Sequence, residues 1–184
     1  MRIGAVFLSC YLVCAVLGVP DLVLRNGLIY DGTGKPPFRG SIVIEKGKIT
    51  AITDRPVRGN MDISMNGFVI APGFIDVHTH AENITHHPKA ENFLRMGVTT
   101  LVLGNCGSSK LKLGEFFTRL QQVGFSPNVA SLIGHGTIRK QVMGGSFRRP
   151  PSAGELVSMQ RLVDLAMREG VSFIYLVHLR RLMS

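Results

Sequence analysis

A-P-G-F-I-D-V-H-T-H at 71–80 and G-V-T-T-L-V-L-G-N-C-G at 97–107 decide how this chain is read. Two histidines, His78 and His80, stand directly behind one apolar run, and Cys106 stands directly behind the next. Along an extended backbone, side chains at i and i+2 point to the same face. The spacing therefore sends His78 and His80 out together from the end of a strand over 73–77, and Asp76 shares their parity. Residues 98–103 read as the following buried strand, with Cys106 three positions beyond its end. Two imidazoles and a thiolate at neighbouring strand ends make part of a zinc-type site.

On either side of this stretch the hydrophobic pattern differs. Upstream, 21–54 alternates in short apolar runs broken by turn dipeptides. Asn26-Gly27 and Lys46-Gly47 are two of them, the second read as a hairpin between strands at 41–45 and 48–52. No helical period occurs before Pro72, so 19–71 reads as an all-β element with nothing catalytic in it. Downstream the period changes. Ala90, Phe93 and Leu94 have helical spacing with Gly97 as a stop. Phe116, Leu120 and Val123 share one face of a helix over 115–123. A third strand is expected over 128–133. Ser152 and Glu155 form an S-x-x-E capping box that opens the clearest helix, with Leu156, Met159, Val163 and Ala166 on one face. Strands alternating with helices predict parallel β/α units. In such folds reactive groups gather at the C-terminal ends of the strands.

With 184 residues the chain is too short for a complete eight-fold barrel. Its 45% hydrophobic and 18% charged content is that of an ordered globular protein. The formal charge of +9 is high, but the basic residues are scattered and no aromatic residues interleave with them. That pattern argues against a nucleic-acid partner and is compatible with anionic small molecules. Residues 1–18 carry one early positive charge and then an apolar run, the pattern of a secretory signal peptide ending near Gly18. The expected location is therefore secreted or extracytoplasmic, with no stable membrane association once the leader is removed. A mis-assigned start would instead leave the protein in the cytoplasm. Cys10 and Cys14 lie in that leader, so no disulfide framework is expected in the body.

Each candidate has a plainer reading beside the chemical one. Cys106 can be a ligand or a small buried apolar side chain. Asp76 can orient a ligand histidine or bond its local backbone. His86 and His87, before Pro88, read as a solvated loop pair. His135, in G-H-G-T-I-R, can line the pocket or be a hydrogen-bonded structural histidine. Arg139 can meet a substrate carboxylate or lie on the surface.

P-G-F-I-D-V-H-T-H together with G-V-T-T-L-V-L-G-N-C-G resembles the amidohydrolase superfamily, and within it the N-acyl-D-amino-acid deacylases, or D-aminoacylases. D-L-V-L-R-N-G-L-I-Y-D-G-T-G, I-G-H-G-T-I-R and V-M-G-G-S-F are similar to the same family. The resemblance runs from about 21 to 170 and covers the first part of the family's length. It implies an α/β fold in which part of a small β-sandwich precedes the first three or four units of a TIM-type β/α barrel, at 72–184. It implies one or two divalent ions, zinc first, with His78 and His80 as ligands and Cys106 as a bridging thiolate. It implies hydrolysis of the amide of an N-acyl-D-amino acid. The family's acid/base aspartate is expected beyond Ser184, so no catalytic residue is assigned here and the chain is read as an incomplete, inactive version. Two other readings stand beside it: a cyclic-amide hydrolase of the dihydropyrimidinase or hydantoinase kind, and a non-catalytic fragment. Residues 171–184 depart from the family's pattern and are read as the product of a shifted reading frame.

Overall fold

The computed structural model describes residues 19–145 and 148–170 and the backbone of Ile174–Tyr175. The expected leader at 1–18 lies outside the described residues, and so does nearly all of the 171–184 tail. The chain divides into two compact units between Pro72 and Gly73.

The first unit is built from strands: β1 (Leu22–Ile29), β2 (Phe38–Glu45), β3 (Lys48–Thr53), β4 (Met61–Ser64) and β5 (Val69–Ile70). They form one sheet in the order β3-β2-β1-β4, with β5 also paired to β1. Lys46 and Gly47 both have positive φ, 50° and 72°, the twist that a two-residue hairpin needs. The β2–β3 pair closes on them, Glu45 opposite Lys48. Asn26-Gly27 behaves otherwise than expected. It is no turn: β1 runs through it as a bulge, with Asn26 at φ 62° and the register to β2 shifting between Leu24 and Gly27. A side chain on Gly27 would meet Ile70 at 2.4 Å, so glycine lets β5 close on β1. β4, too short to stand out in the hydrophobic pattern, pairs parallel to β1 through Leu22–Arg25.

The second unit alternates strands and helices. β6 (Phe74–Asp76) is followed by the five-residue α1 (Glu91–Arg95), β7 (Val98–Leu103), α2 (Leu113–Val123), β8 (Asn128–Ser131), β9 (Ile133–Gly134), α3 (His135–Met143), α4 (Ala153–Arg168) and β10 (Ile174–Tyr175). β6, β7 and β8 make a parallel three-stranded sheet with β7 in the middle, and β9 pairs in parallel with β10. The single third strand expected over 128–133 is in fact two, β8 and β9, broken at Leu132. The helix α3 is not announced by the sequence, which carries no apolar period over 135–143. It begins directly behind Gly134 and ends at Gly144, φ 66°.

The core of this unit joins the central strand to the helices. Leu101 and Leu103 of β7 are fully buried, as are Leu113 of α2 and Ile133 of β9. Phe116, Leu120, Ile138, Met159 and Ala166 pack into the same cluster. Leu103→Ala would leave a cavity in it, and a loss of about 2–5 kcal/mol is expected in urea unfolding.

α4 starts where the capping box places it. Ser152 Oγ accepts from the Glu155 N–H (3.3 Å), and Glu155 accepts from the Ser152 N–H (2.8 Å). Arg149 grips the Glu155 carboxylate with both arms, at 2.6 and 2.7 Å. The Arg149 hydrogen bond first, and then the Ser152 backbone, pull Glu155 from about 4.5 to about 2. A carboxylate pKa lowered by folding contributes stability that is complete above about 4.5 and is lost as pH falls towards about 2. The first turn of α4 is therefore expected to loosen across that acid window. Glu155→Gln is expected to abolish this pH dependence in hydrogen exchange of the 153–157 amides.

Candidate metal centre

β6 ends at Asp76, two residues earlier than the histidines, yet the i, i+2 alternation persists beyond it. The Thr79 N–H donates to the Val102 carbonyl of β7 at 3.2 Å. That bond keeps 77–80 lying along the neighbouring strand. Thr79 is buried, while His78 and His80 on either side of it are exposed. Their rings stand 5.7 Å apart, edge to face. Asp76 Oδ1 accepts the backbone N–H of His78 at 3.1 Å, a local bond that fixes where the first imidazole leaves the chain.

Cys106 arrives from the end of β7 through G-N-C-G. Gly104, Cys106 and Gly107 all lie in the left-handed region, at φ 81°, 54° and 76°. For a cysteine this is a strained conformation, which persists only where the surroundings impose it. Here they do. Asn105 is buried, its amide donating to the carbonyls of Val102 (2.7 Å) and Thr79 (3.4 Å). The Ser108 N–H donates to the Asn105 carbonyl, and the Thr137 N–H of α3 donates to the Gly107 carbonyl. The loop is also pressed on from outside. A Cβ on Gly104 would lie 2.2 Å from the Leu132 carbonyl oxygen, and a Cβ on Gly134 would lie 2.4 Å from the Gly107 oxygen.

The outcome is a convergence. His78 Nε2 lies 3.2 Å from Cys106 Sγ. One ligand atom from each of His78, His80 and Cys106 fits within a 4.8 Å span. Around a tetrahedral zinc, nitrogen and sulfur ligands sit about 3.3–3.8 Å apart, so the trio closes on one ion with roughly 1 Å of side-chain movement. All three side chains are exposed and have room to make it. Borderline-soft nitrogen and soft sulfur donors suit zinc. The donor set fits that metal.

Glu82 escaped the sequence reading although it continues the parity of His78 and His80. Its Oε1 accepts the Gly104 N–H (3.2 Å) and lies 3.9 Å from His80 Nδ1. One carboxylate thus links the second imidazole to the turn that delivers the sulfur. His135 is not a member of the three-residue cluster. It opens α3 half-buried, and burial, with the nearby Arg139 charge after it, lowers its pKa. Arg139 donates from Nη2 to the Arg149 carbonyl, holding the bend before α4. His86 and His87 are exposed, at the end of a short 3₁₀ turn.

No family model matches the chain. The N-acyl-D-aspartate deacylase of Alcaligenes xylosoxydans xylosoxydans is 30% identical over 175 residues, covering 82% of this chain and 35% of that protein. The D-aminoacylase of the same organism is 29% identical over 175 residues, covering 82% and 36%. The solved N-acyl-D-glutamate deacylase from Bordetella bronchiseptica, complexed with zinc and a phosphonate mimic of the tetrahedral intermediate, superposes with a TM-score of 0.78 at 28% identity. That likeness takes in 85% of this chain and 38% of that one. Over this stretch the chain is a homologue of the D-aminoacylase family. A D-aminoacylase solved for its binuclear metal centre gives a TM-score of 0.77 at 29% identity. The chain spans about a third of the length of the curated D-aminoacylase relatives it matches. Zinc is a metal of the D-aminoacylase family, bound in the Bordetella structure, and it is the metal for which these donors are suited.

Proposed function

We propose that this chain carries part of a metal-dependent site for hydrolysing the amide of an N-acyl-D-amino acid to a carboxylate and a free D-amino acid. The observation that carries the reading is the 3.2 Å approach of His78 Nε2 to Cys106 Sγ, with His80 in the same cluster. Its support outside the chain is the set of relatives named as deacylases of D-aspartate, D-glutamate and other D-amino acids. In this reading the second unit is the first part of a β/α barrel, and the strand sheet before it is part of a β-sandwich. His78, His80 and Cys106 would hold the ion, which when bound supplies Lewis acidity towards the amide carbonyl and water. Asp76 and Thr79 fix the backbone from which the imidazoles leave. Glu82 steadies His80, and the left-handed loop at 104–107 holds the sulfur in place.

Hydrolysis also needs a proton for the departing amine. By the family resemblance the acid/base aspartate belongs to a part of the relatives' length that this chain does not span. The 184-residue polypeptide alone is therefore expected to bind zinc without measurable turnover. The test has two arms. Equilibrium dialysis of purified 1–184 should show zinc retained after washing. A polypeptide of the relatives' length that contains these residues should release amino acid from N-acetyl-D-aspartate or N-acetyl-D-glutamate and leave the L-enantiomers intact. Hydrolysis of cyclic amides in place of these substrates would refute the proposed chemistry. Turnover by 1–184 alone at the longer protein's rate would refute the division of labour.

A further inference from the structure

The strand unit carries a basic cavity of about 490 Å³. Arg25, Arg39, Arg55 and Arg58 line it, with Asp54 as its one lining carboxylate. The volume falls in the range of small-molecule sites. Arg25 issues from β1 beside the bulge, and Arg39 lies on β2, the strand paired with it. Arg55 and Arg58 come from the segment that follows β3. Arg25 is only loosely compensated. Its Nε stands 3.7 Å from Asp62 Oδ1, and that oxygen already accepts the Gly59 N–H at 3.1 Å. The same Nε is buried with no hydrogen-bond partner. A buried donor left unsatisfied is costly, so the Arg25 charge is weakly compensated within the fold. Counting Asp54 and Asp62 against the four guanidiniums, two positive charges remain unmatched.

We propose that this cavity binds a small phosphate-bearing anion, a phosphate ester or diphosphate free in solution. Guanidinium forks pair with carboxylate and phosphate oxygens two at a time. A lone carboxylate has two oxygens and is saturated by one or two such forks. Four forks on one cavity suit a group with more oxygens and a charge near −2, as a phosphate has. None of these residues belongs to the metal cluster, so the proposal stands or falls independently of the hydrolytic reading.

The test is isothermal titration of the full chain with inorganic pyrophosphate, at fixed ionic strength set with potassium chloride. Saturable one-to-one binding is expected. Arg55→Gln with Arg58→Gln is expected to weaken it about tenfold or more, since two charge-assisted contacts are lost. Lys48→Gln, an exposed charge on the same sheet but outside the cavity, is expected to change it less than about twofold. Circular dichroism of each variant checks that the fold is retained. Arg25→Met, which removes one of the four lining guanidiniums, should weaken binding as well. Three outcomes overturn the proposal: no saturable heat, equal weakening by Lys48→Gln, or binding to phosphatidic-acid vesicles with none to pyrophosphate.

Discussion

Gly104→Ala is expected to cost about 2–5 kcal/mol and to abolish zinc retention with it. Two effects add. At φ 81° an alanine is forced into the left-handed region, a cost of roughly 1–2 kcal/mol. Its Cβ would then lie 2.2 Å from the Leu132 carbonyl oxygen, closer than two such atoms can approach, and the backbone must move. Overpacking of that kind costs about 1–3 kcal/mol. The movement falls on the turn that sets the position of Cys106 and accepts the grip of Glu82 on the Gly104 N–H. Urea unfolding gives the stability change, and dialysis against zinc gives the second readout. A variant as stable as the parent and still binding zinc would show that the close approach is not a constraint. Gly144→Ala is the control: it shares the left-handed backbone, φ 66°, but among the described residues its Cβ would meet nothing within 4 Å. Its cost is expected to stay near the conformational part alone, about 1 kcal/mol.

Cys106→Ala is expected to lower zinc affinity at least about a hundredfold, with little change in secondary structure. Loss of even an outer partner of a ligand costs 10–100-fold in affinity, and Cys106 stands in direct reach of the ion. The side chain is exposed, so its removal leaves no cavity. His78→Ala is expected to act as strongly, because its Nε2 stands 3.2 Å from the sulfur. Glu82→Gln keeps the shape and removes the charge beside His80, so a smaller drop is expected, about tenfold. Zinc binding unaffected by Cys106→Ala would remove the thiolate from the centre and with it the proposed chemistry. Competition with a zinc-sensitive chelating dye measures all three variants in one format.

The local part of this site is visible in the residue order, and the part that depends on contacts through space is not. His78 and His80 share a face because of their spacing alone, and the Thr79 bond to Val102 preserves that parity past the end of the strand. Glu82 was legible by the same rule, two positions further on, but nothing in the sequence says that a carboxylate there meets the turn after β7. The glycines of G-N-C-G and G-H-G read as flexibility. The structure gives them a different reason, since Gly134 and Gly136 leave room for the Gly107 carbonyl, at 2.4 and 2.8 Å from their missing Cβ atoms. That contact joins segments nearly thirty residues apart and leaves no periodic trace. It also explains why 135–143 gives no helical signal in the sequence. The helix begins immediately behind a glycine placed for packing, and Ile138 and Met143 are too few to announce an apolar face. In the strand unit, Lys46-Gly47 was readable because its turn chemistry is local. Asn26-Gly27 carries the same dipeptide signal, and only the pairing of β1 with β2 and β5 shows that it bends a strand and does not reverse one.

The left-handed backbone at Cys106 limits what evolution or an engineer can put there. Asparagine and aspartate tolerate that conformation far better than valine, threonine or isoleucine do. A carboxylate is thus the ready exchange for the sulfur, whereas a branched side chain would open the loop. Cys106→Asp would turn a soft donor into a hard one that the left-handed turn tolerates, keeping zinc but bringing harder ions such as iron(II) or manganese into closer competition. The shape of one peptide unit thus leaves the choice of element adjustable by a single codon while holding the site's architecture fixed.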